Sequence, residues 1–580
     1  MNNSQPLRIA LAQLNLTVGS LDANRDKILT CIEKCRDMGC HLTAFPELCV
    51  SGYPPEDLVL RKQFIVDQIK IVNEIAHHVT HMPCVIGMID EQNDELFNAA
   101  AILQNGAVQT IYHKIHLPNY SVFDEERYFT AGTVPWIINL NGIKIGISIC
   151  EDIWIAGSVI DAQVLCGGAE VVLNISASPF YQGKYHERFK LISSYAQRLC
   201  APVAYVNLVG GQDELVFDGR SFIVNETGQL LARAKAFDEE ILFCEIDVSA
   251  ARALRAASAK FKHSNQDFTF PDIETVVLGS KNIVDPPPLV PSLHQDINAL
   301  TEIYDALILG LKDYVLKNGF SKVTLGLSGG IDSALVAVLA TDALGKGNVV
   351  CVGLPSQYSS DSSLNDARLL TQNLDVRLLI FSIQEVYQKY LSLFSETFKG
   401  LPFNVTEENL QARIRANILM ALSNKFGWLV LTTGNKSEVS VGYSTIYGDS
   451  AGGFAPLKDV YKTMVYSLSE YRNSLAGYDL IPQSILVKPP SAELRPNQKD
   501  QDSLPPYELL DGILQHYIEE QHSLNDIVAK GFELKMVQEV IRLVNNNEYK
   551  RRQAAPGTKI TQRAFGRDRR MPITNRYQEK

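Results

Sequence analysis

The chain has 580 residues, which exceeds one ordinary domain and predicts two or three. A hydrophobic fraction of 46% is typical of a globular protein, and a formal net charge of −11 argues against nucleic acid as a partner. No apolar run approaches the roughly 18 residues of a membrane span, and the N-terminus lacks a signal-peptide pattern. The ten cysteines form no C-x-x-C pair, so neither zinc nor a disulfide scaffold is indicated, and a cytoplasmic location is expected.

Short strand patterns dominate the first half of the chain. Residues 7–15 predict a first strand, 23–38 a helix, and 41–47 a second strand that ends in a carboxylate. Residues 136–140 and 143–150 predict a hairpin, because the Asn-Gly pair between them is a strong turn signal. Strands at this density, with a few helices between them, predict a layered α/β sandwich.

One candidate site in this half consists of Glu47, Lys114 and Cys150, each of which ends or follows an apolar strand. Amide hydrolysis needs a nucleophile, a proton carrier and a group that stabilises the oxyanion, and these side chains match those roles. The neighbouring Glu151 and Asp152 would raise the pKa of the Cys150 thiol, so a nucleophilic Cys150 needs a cation such as Lys114 nearby. Taken singly, a buried cysteine is more often an inert part of the core.

The segments around these residues resemble a known family. They read FPELCVSGYPPEDL, HKIHLPNYSVFDEERYF and ISICEDIW. They resemble the catalytic segments of nitrilase-like amidohydrolases, most of all the glutaminase domain of glutamine-dependent NAD synthetases. The resemblance implies a nitrilase-like αββα sandwich, with Glu47 as general base, Lys114 as transition-state stabiliser and Cys150 as nucleophile. It also implies three contacts to glutamine, from Tyr120, Ser178 and Lys184.

A proline-rich stretch separates the two halves. Residues 286–288 are consecutive prolines and Pro291 follows, which is typical of an extended connector. We therefore predict an amidohydrolase domain over residues 1–265, a connector over 266–295 and a synthetase domain over 296–580. A disordered tether is the alternative, whereas the family resemblance favours an ordered connector.

The second half begins with a helix pattern over residues 300–318 and the stretch VTLGLSGGIDS at 323–333. A buried strand, a glycine-rich turn and a helix start follow one another there, which predicts an anion cradle of backbone N–H groups. The lysine of a P-loop and the G-x-G-x-x-G spacing are both missing. The order SGG-x-DS resembles the pyrophosphatase loop of ATP-dependent ligases that adenylate a substrate oxygen.

Strand patterns at residues 348–354, 377–381 and 428–432 alternate with helix patterns. This alternation predicts a doubly wound parallel α/β sheet with ligands at the carboxyl ends of its strands. Asp332 and Glu438 each follow such an end, and together they offer the oxygen ligands that magnesium prefers. For any single polar residue here, a solvated surface position is the usual alternative.

The second half, from about residue 300 to the end, resembles the ammonia-dependent domain of NAD synthetases of the ATP-pyrophosphatase (adenine nucleotide alpha hydrolase-like) class. The resemblance implies ATP contacts from Gly326, Leu327, Ser328, Gly329, Gly330, Ile331, Asp332, Ser333, Thr433 and Lys462. It implies contacts to deamido-NAD from Asn409, Arg413, Glu438, Tyr443, Ser444, Thr445, Ile446 and Lys550. The polar segment 491–504 resembles a mobile loop that closes over the adenylate. The basic run 551–570 also fits a nucleic-acid tail, which the acidic chain disfavours.

These features together predict a two-domain enzyme that uses ATP and Mg²⁺ to adenylate deamido-NAD. Ammonia from glutamine hydrolysis would then displace AMP to give NAD. One rival is another adenylating amidotransferase, which usually carries a Cys-His glutaminase that is not apparent here. A second rival is a nitrilase-type hydrolase fused to a non-catalytic ATP sensor. We expect small-molecule substrates, no nucleic-acid or membrane partner, and a homo-oligomer.

Overall fold

The computed structural model describes residues 6–258, 261, 272–280, 286–496, 498–577 and 579. It divides into two compact units, one made of Met1–Gln212 with Phe217–Asp296 and the other of Asp213–Val216 with Ile297–Lys580. Within the described residues, no helix combines the length and the apolar character that crossing a bilayer requires.

Unit 1 contains two large sheets. The first is formed by β1 (Leu7–Gln13), β2 (Leu42–Ala44), β3 (Cys84–Gln92), β4 (Glu95–Gln104), β5 (Ala107–His113) and β14 (Glu240–Ile246), in the order β14-β1-β2-β3-β4-β5. The second is formed by β6 (Trp136–Leu140), β7 (Ile143–Ile149), β8 (Val171–Ser176), β9 (Val203–Asn207), β12 (Phe222–Val224), β13 (Leu230–Arg233) and β15 (Glu274–Leu278), in the order β13-β12-β9-β8-β7-β6-β15. A separate ribbon pairs β10 (Val209–Gln212) with β11 (Leu215–Asp218).

The two large sheets bury their apolar faces against each other. Side chains of β1, such as Ile9 and Leu11, share one core with Ile145, Ile147 and Ile149 of β7. The helices of unit 1 are α1 (Leu21–Asp37), α2 (Lys62–His78), α3 (Val159–Asp161), α4 (Lys184–Leu199) and α5 (Val248–Ala257). Because α2 packs on β3 and α4 packs on β9 and β12, the layers read αββα as predicted.

The predicted hairpin is present, with β6 and β7 antiparallel around Asn141 and Gly142. Both turn residues have positive φ, 50° and 85°, which is the backbone that an Asn-Gly turn supplies. The connector predicted over 266–295 overlaps strand β15, which pairs in parallel with β6 inside unit 1. Residues 266–271 and 281–285 of that connector lie outside the described residues.

Unit 2 is built on a parallel sheet of β16 (Val323–Gly326), β17 (Val349–Gly353), β18 (Arg377–Ile380) and β19 (Leu429–Leu431), in the order β18-β17-β16-β19. The chain moves outward from β16 in one direction and returns to its other side with β19. Ligand sites of such sheets lie where this reversal occurs, at the carboxyl end of β16.

The helices of unit 2 surround this sheet and extend beyond it. They are α6 (Ala299–Lys317), α7 (Ile331–Leu344), α8 (Asp361–Leu374), α9 (Gln384–Phe394), α10 (Val405–Phe426), α11 (Lys436–Val441), α12 (Lys462–Ala476), α13 (Gln483–Val487), α14 (Tyr507–Leu514), α15 (Leu524–Ala529), α16 (Leu534–Asn546) and α17 (Glu548–Arg551).

Local sequence sets the two ends of helix α10. Helix α10 begins at a capping box between Asn404 and Glu407 and ends at Gly427 with φ of 69°.

The basic run 551–570 is largely part of the fold rather than a free tail. Arg551 and Arg569 are buried beside Glu548, and the Arg551 guanidinium lies 2.9 Å from its carboxylate. Lys559 and Asp568 form another buried pair, 2.9 Å apart. Packing within unit 2 therefore accounts for these cations.

Candidate active sites

The end of strand β7 presents Cys150. The residue has φ of 40° and starts a short 3₁₀ turn over Cys150–Ile153. The Asp152 carboxylate fixes this turn, because it accepts hydrogen bonds from the Ile149 amide at 2.9 Å, the His116 amide at 2.9 Å and the Tyr112 hydroxyl at 2.6 Å. The strained, anchored turn holds the buried thiol in one place.

Lys114 lies between two glutamates in the interior of unit 1. Its Nζ is 2.6 Å from Oε1 of Glu47 and 2.9 Å from both carboxylate oxygens of Glu125. Glu47 is held further by Asn98 Nδ2 at 2.7 Å and by the Ala177 amide at 2.9 Å. The predicted pair Glu47 and Lys114 therefore meets in a connected, buried network.

The charges of this network affect the pKa of Cys150. Burial raises the pKa of the thiol well above its ordinary value, and Glu47 adds to the rise while Lys114 opposes it. Burial alone would lower the pKa of Lys114, but the charges of Glu125 and Glu47 overcome it and keep the ammonium protonated. The resting site thus holds a neutral thiol beside a charged lysine, so a base must remove the thiol proton when substrate is present.

Glu125 is a member of this network that sequence reasoning missed. Burial raises its pKa to about 7, against the opposing effect of Lys114, and its Oε1 accepts a hydrogen bond from the Tyr53 hydroxyl at 2.9 Å. The residue lies inside the segment HKIHLPNYSVFDEERYF. Three adjacent acids occur there, and sequence alone offered no signal for which of them faces inward.

The predicted glutamine contacts lie around this cluster. The Tyr120 hydroxyl donates to Glu151 at 3.0 and 3.1 Å, and Lys184 places its Nζ 4.0 Å from the ring centroid of Trp154. Burial lowers the pKa of Lys184. The Ser178 amide donates a hydrogen bond to Asn207 Oδ1 at 2.9 Å. The preceding residue, Ala177, is the one whose amide donates to Glu47. Tyr120 and Lys184 are near enough for charge on Cys150 to influence their pKa values.

Unit 2 contains a cavity of about 630 Å³ at the carboxyl end of β16. Its walls include every residue predicted to contact ATP or deamido-NAD except Gly329. Gly329 has φ of 79°, and a Cβ there would lie 2.3 Å from the carbonyl oxygen of Ser363. Only glycine fits at that point of the SGGIDS turn, so the residue shapes the cavity without lining it.

Acidic residues meet at the floor of this cavity. Lys462 Nζ contacts Asp332 and lies 3.2 Å from Oε1 of Glu438. A third carboxylate, Asp500, is near enough to influence both lysine and glutamate, and accepts from the hydroxyls of Tyr507 at 2.9 Å and Tyr443 at 3.2 Å. Sequence reasoning did not select Asp500, which lies in the predicted closing segment.

This floor fits a divalent cation. Three carboxylates beside one ammonium leave an excess of two negative charges among these four groups when all are ionised. Burial raises the pKa of Glu438 to about 8, with Lys462 opposing and Asp332 adding to the rise. A cation of charge two with oxygen ligands would balance the cluster. Asp332 and Glu438, the pair predicted for magnesium, are both present there.

Hydrogen bonds link the residues that are predicted to contact the dinucleotide, and these residues line the same cavity. Asn409 and Arg413 lie one turn apart on α10. Thr445 Oγ1 donates to Asn409 at 2.7 Å, and Arg413 Nε donates to the Ile446 carbonyl at 3.3 Å. Lys550 Nζ donates to the carbonyls of Gly442 at 2.7 Å and Ser444 at 2.9 Å. The stretch 443–446 is thus clamped between α10 and Lys550.

The fold and the two sites define a protein with a nitrilase-like amidohydrolase unit and an adenylating, pyrophosphatase-type unit. The carbon-nitrogen hydrolase family model matches residues 8–256, and the NAD synthase family model matches residues 303–554. The chain is 49% identical to the glutamine-dependent NAD(+) synthetase of Aquifex aeolicus, over 98% of this chain and 100% of the relative. It is 46% identical to that of Thermotoga maritima, over 99% of each chain.

Solved structures are similar to this chain over almost its whole length. The structure of glutamine-dependent NAD+ synthetase from Acinetobacter baumannii in complex with ADP is 39% identical, covers 98% of this chain and 99% of its own, and has a TM-score of 0.74. The enzyme from Cytophaga hutchinsonii is 23% identical, covers 98% of both chains and shares the fold with a TM-score of 0.80. The chain belongs to the glutamine-dependent NAD(+) synthetase family.

Proposed function

We propose that this protein converts deamido-NAD to NAD, with ATP as the energy source and glutamine as the source of nitrogen. The observation that carries the proposal is the presence, in one chain of this family, of two chemically complete sites. One is a buried Cys-Glu-Lys cluster suited to amide hydrolysis, and the other is a cavity on an SGGIDS loop suited to nucleotides.

In unit 1, Glu47 takes the proton of the Cys150 thiol, and the sulfur attacks the side-chain amide carbon of glutamine. Lys114 remains protonated because of its two glutamates, so it can donate a hydrogen bond to the oxyanion that forms. Glu47 returns the proton to the departing ammonia and leaves a thioester at Cys150. Water then hydrolyses the thioester and releases glutamate.

Three residues orient the glutamine in this scheme, and two more keep the base in place. Lys184 offers a cation to the α-carboxylate of the substrate, while Tyr120 and Ser178 bind its other polar groups. Asn98 and Glu125 hold Glu47 and Lys114 at fixed separations. Their hydrogen bonds support the geometry that the nucleophile and base require.

In unit 2, the loop 326–333, Thr433 and Lys462 bind ATP. Eight residues that line the same cavity bind deamido-NAD: Asn409, Arg413, Glu438, Tyr443, Ser444, Thr445, Ile446 and Lys550. The nicotinate carboxylate attacks the α-phosphorus of ATP, pyrophosphate leaves, and an acyl adenylate forms. Ammonia attacks the acyl carbon and AMP leaves. Asp332 and Glu438 would hold Mg²⁺, which supplies charge neutralisation for the phosphates when bound.

Three finer expectations also remain proposals: domain boundaries near 265 and 296, a homo-oligomeric state, and a cytoplasmic location. Limited proteolysis would test the boundaries, and light scattering coupled to size-exclusion chromatography would test the oligomer. Cell fractionation would test the location.

The variant Cys150→Ala tests the proposed function directly. It should lose NAD formation from glutamine and keep NAD formation from ammonium salts, because the two chemistries use different residues. Cys166→Ala, at an exposed thiol of the same unit, should keep both activities. Loss of both activities in Cys150→Ala with an intact fold would contradict the assignment.

A further inference from the structure

The side chain of Glu493 lies in a ring of donors in unit 2. Its Oε1 accepts a hydrogen bond from Ser363 Oγ at 2.6 Å and from Lys488 Nζ at 2.9 Å, with Ser360 Oγ at 3.3 Å. Lys488 Nζ also contacts Ser363 Oγ. One ammonium and two hydroxyls therefore converge on a single anionic oxygen.

Two of these three donor residues, Ser363 and Lys488, line the nucleotide cavity. Ser363, Lys488 and Glu493 line the same 630 Å³ space as the loop 326–333. Ser363 is only 3% exposed, and its carbonyl oxygen lies where a Cβ on Gly329 would collide with it. The ring of donors thus adjoins the SGGIDS turn that the proposed function assigns to the phosphates of ATP.

The chemistry of this ring suits a phosphate group. An ammonium and hydroxyl donors directed at one point bind a phosphate oxygen with charge-assisted hydrogen bonds. A carboxylate already placed at that point opposes an incoming polyphosphate by like-charge repulsion and by occupying its donors. A phosphate oxygen and the Glu493 carboxylate therefore compete for the same contacts.

We propose that Lys488, Ser363 and Ser360 form a phosphate subsite for the pyrophosphate end of ATP, and that Glu493 fills it as an internal competitor. The proposal rests on the proposed function, because it requires ATP to bind in this cavity. When the polyphosphate arrives, Glu493 leaves the subsite and Lys488 transfers its contact from the carboxylate to the phosphate.

The expected effect follows from the fraction of molecules in which the subsite is free. An internal competitor raises the apparent Kd in inverse proportion to that fraction. The Glu493–Lys488 pair is partly solvent-exposed, with 20% and 24% of the two side chains accessible. Solvent screening therefore makes the ion pair only moderately stabilising. We expect removal of the carboxylate charge to tighten binding by about 3- to 10-fold.

The experiment is calorimetric titration of the full chain with inorganic pyrophosphate and, separately, with ATP. Glu493→Gln keeps the size of the side chain and should bind both probes about 3- to 10-fold more tightly. Lys488→Met should bind both about tenfold more weakly. The double variant should resemble Lys488→Met, because the subsite then lacks its cation.

An exposed ion pair elsewhere in unit 2 provides the matched control. Glu396 and Lys399 lie 3.7 Å apart with 87% and 76% of their side chains accessible. Glu396→Gln and Lys399→Met make the same chemical changes and should leave both affinities unchanged.

The outcomes separate the inference from the function. A wild-type chain that binds neither pyrophosphate nor ATP would refute the proposed function itself. Wild-type binding with no gain in Glu493→Gln, or with no loss in Lys488→Met, would overturn the phosphate subsite alone. If Glu493→Gln folds poorly, Glu493→Ala carries the same test.

Discussion

The two sites of this protein differ in how their charges are arranged before a substrate arrives. In unit 1, Lys114 is enclosed by Glu47 and Glu125 at 2.6 and 2.9 Å, and all three side chains are buried. In unit 2, the carboxylates of Asp332, Glu438 and Asp500 surround one neighbouring ammonium at the floor of a cavity of about 630 Å³.

The two charge arrangements differ because the reacting atoms come from different molecules in the two sites. Unit 1 contributes its own nucleophile, so sulfur, base and cation must already be in place when glutamine binds. Unit 2 joins atoms that all come from substrates, so the protein supplies an open cavity whose charge the ligands complete. Variants that disturb one arrangement should leave the other chemistry intact, and the following experiments test this contrast.

The largest effect is expected for Asp332→Ala. NAD formation should fall by about 10³-fold from either glutamine or ammonium, because Asp332 holds Lys462 and is a proposed magnesium ligand. Glutamine hydrolysis, measured as glutamate release, should continue. Asp375→Asn, at an exposed ion pair of the same unit, should change neither activity. Loss of glutamine hydrolysis in a folded Asp332→Ala variant would show that the two sites are not chemically separate.

A somewhat smaller loss is expected for Lys114→Met. Glutamine hydrolysis should drop by about 10²- to 10³-fold, because the oxyanion loses its donor. Two buried glutamates would also be left without their cation, which costs about 3–5 kcal/mol of unfolding free energy. Ammonia-dependent NAD formation should survive wherever the protein remains folded. Lys70→Met, at an exposed lysine of unit 1, is the control. Normal hydrolysis in Lys114→Met would remove the lysine from the catalytic cluster.

The variant Glu125→Gln tests the buried charge network through stability. The ordinary pKa of 4.5 rises to about 7 for Glu125 in the fold, so the folded state binds more protons than the unfolded state between these values. The contribution of Glu125 is therefore greatest below pH 4.5 and is lost as pH rises to about 7. A glutamine side chain at position 125 does not titrate. From pH 5 to pH 8 the unfolding free energy of the variant should therefore rise by up to about 3 kcal/mol relative to wild type.

Denaturant unfolding at several pH values measures this difference. Glu126→Gln is the matched control, because the neighbouring Glu126 is exposed and accepts a surface hydrogen bond from Asn119 Nδ2 at 3.0 Å. A pH-independent difference between Glu125→Gln and wild type would mean that Glu125 is not a buried acid with a raised pKa.

The smallest effect is expected for Lys184→Met. The KM for glutamine should rise about tenfold while kcat changes little, because Lys184 is proposed to bind the substrate α-carboxylate rather than the reacting atoms. Lys190→Met, at an exposed position of the same helix, should leave the KM unchanged. A fall in kcat at constant KM would instead place Lys184 in the chemical step.

Much of the fold could be read from local patterns. The hairpin at Asn141-Gly142 and the strand, turn and helix of SGGIDS depend on neighbours in sequence, and the structure shows both. Helix α4 begins at Lys184, directly after Gly183 with φ of 85°. Its first turn, KYHE, is largely polar, so the apolar spacing that signals a helix does not mark this start.

Glu125 and Asp500, the residues that the sequence did not indicate at the two sites, were missed for the same reason. Glu125 stands between Asp124 and Glu126, and the 3₁₀ turn over Glu125–Arg127 decides which carboxylate points inward. Asp500 lies among several polar residues of a loop, and the hydroxyls of Tyr443 and Tyr507 fix it in the cavity. A single sequence cannot distinguish such residues from solvated neighbours of the same type, because burial comes from distant parts of the chain.

The sequence by itself determined the chemical groups and the local elements that carry them: a thiol after one strand, a glycine-rich anion cradle after another, and carboxylates nearby. Tertiary structure alone decided their pairing. Lys114 meets Glu47 across 67 positions, and Lys462 meets Asp332 across 130. The protonation state of each group depends on how far packing removes it from water and which charge lies beside it, and both are properties of the folded chain.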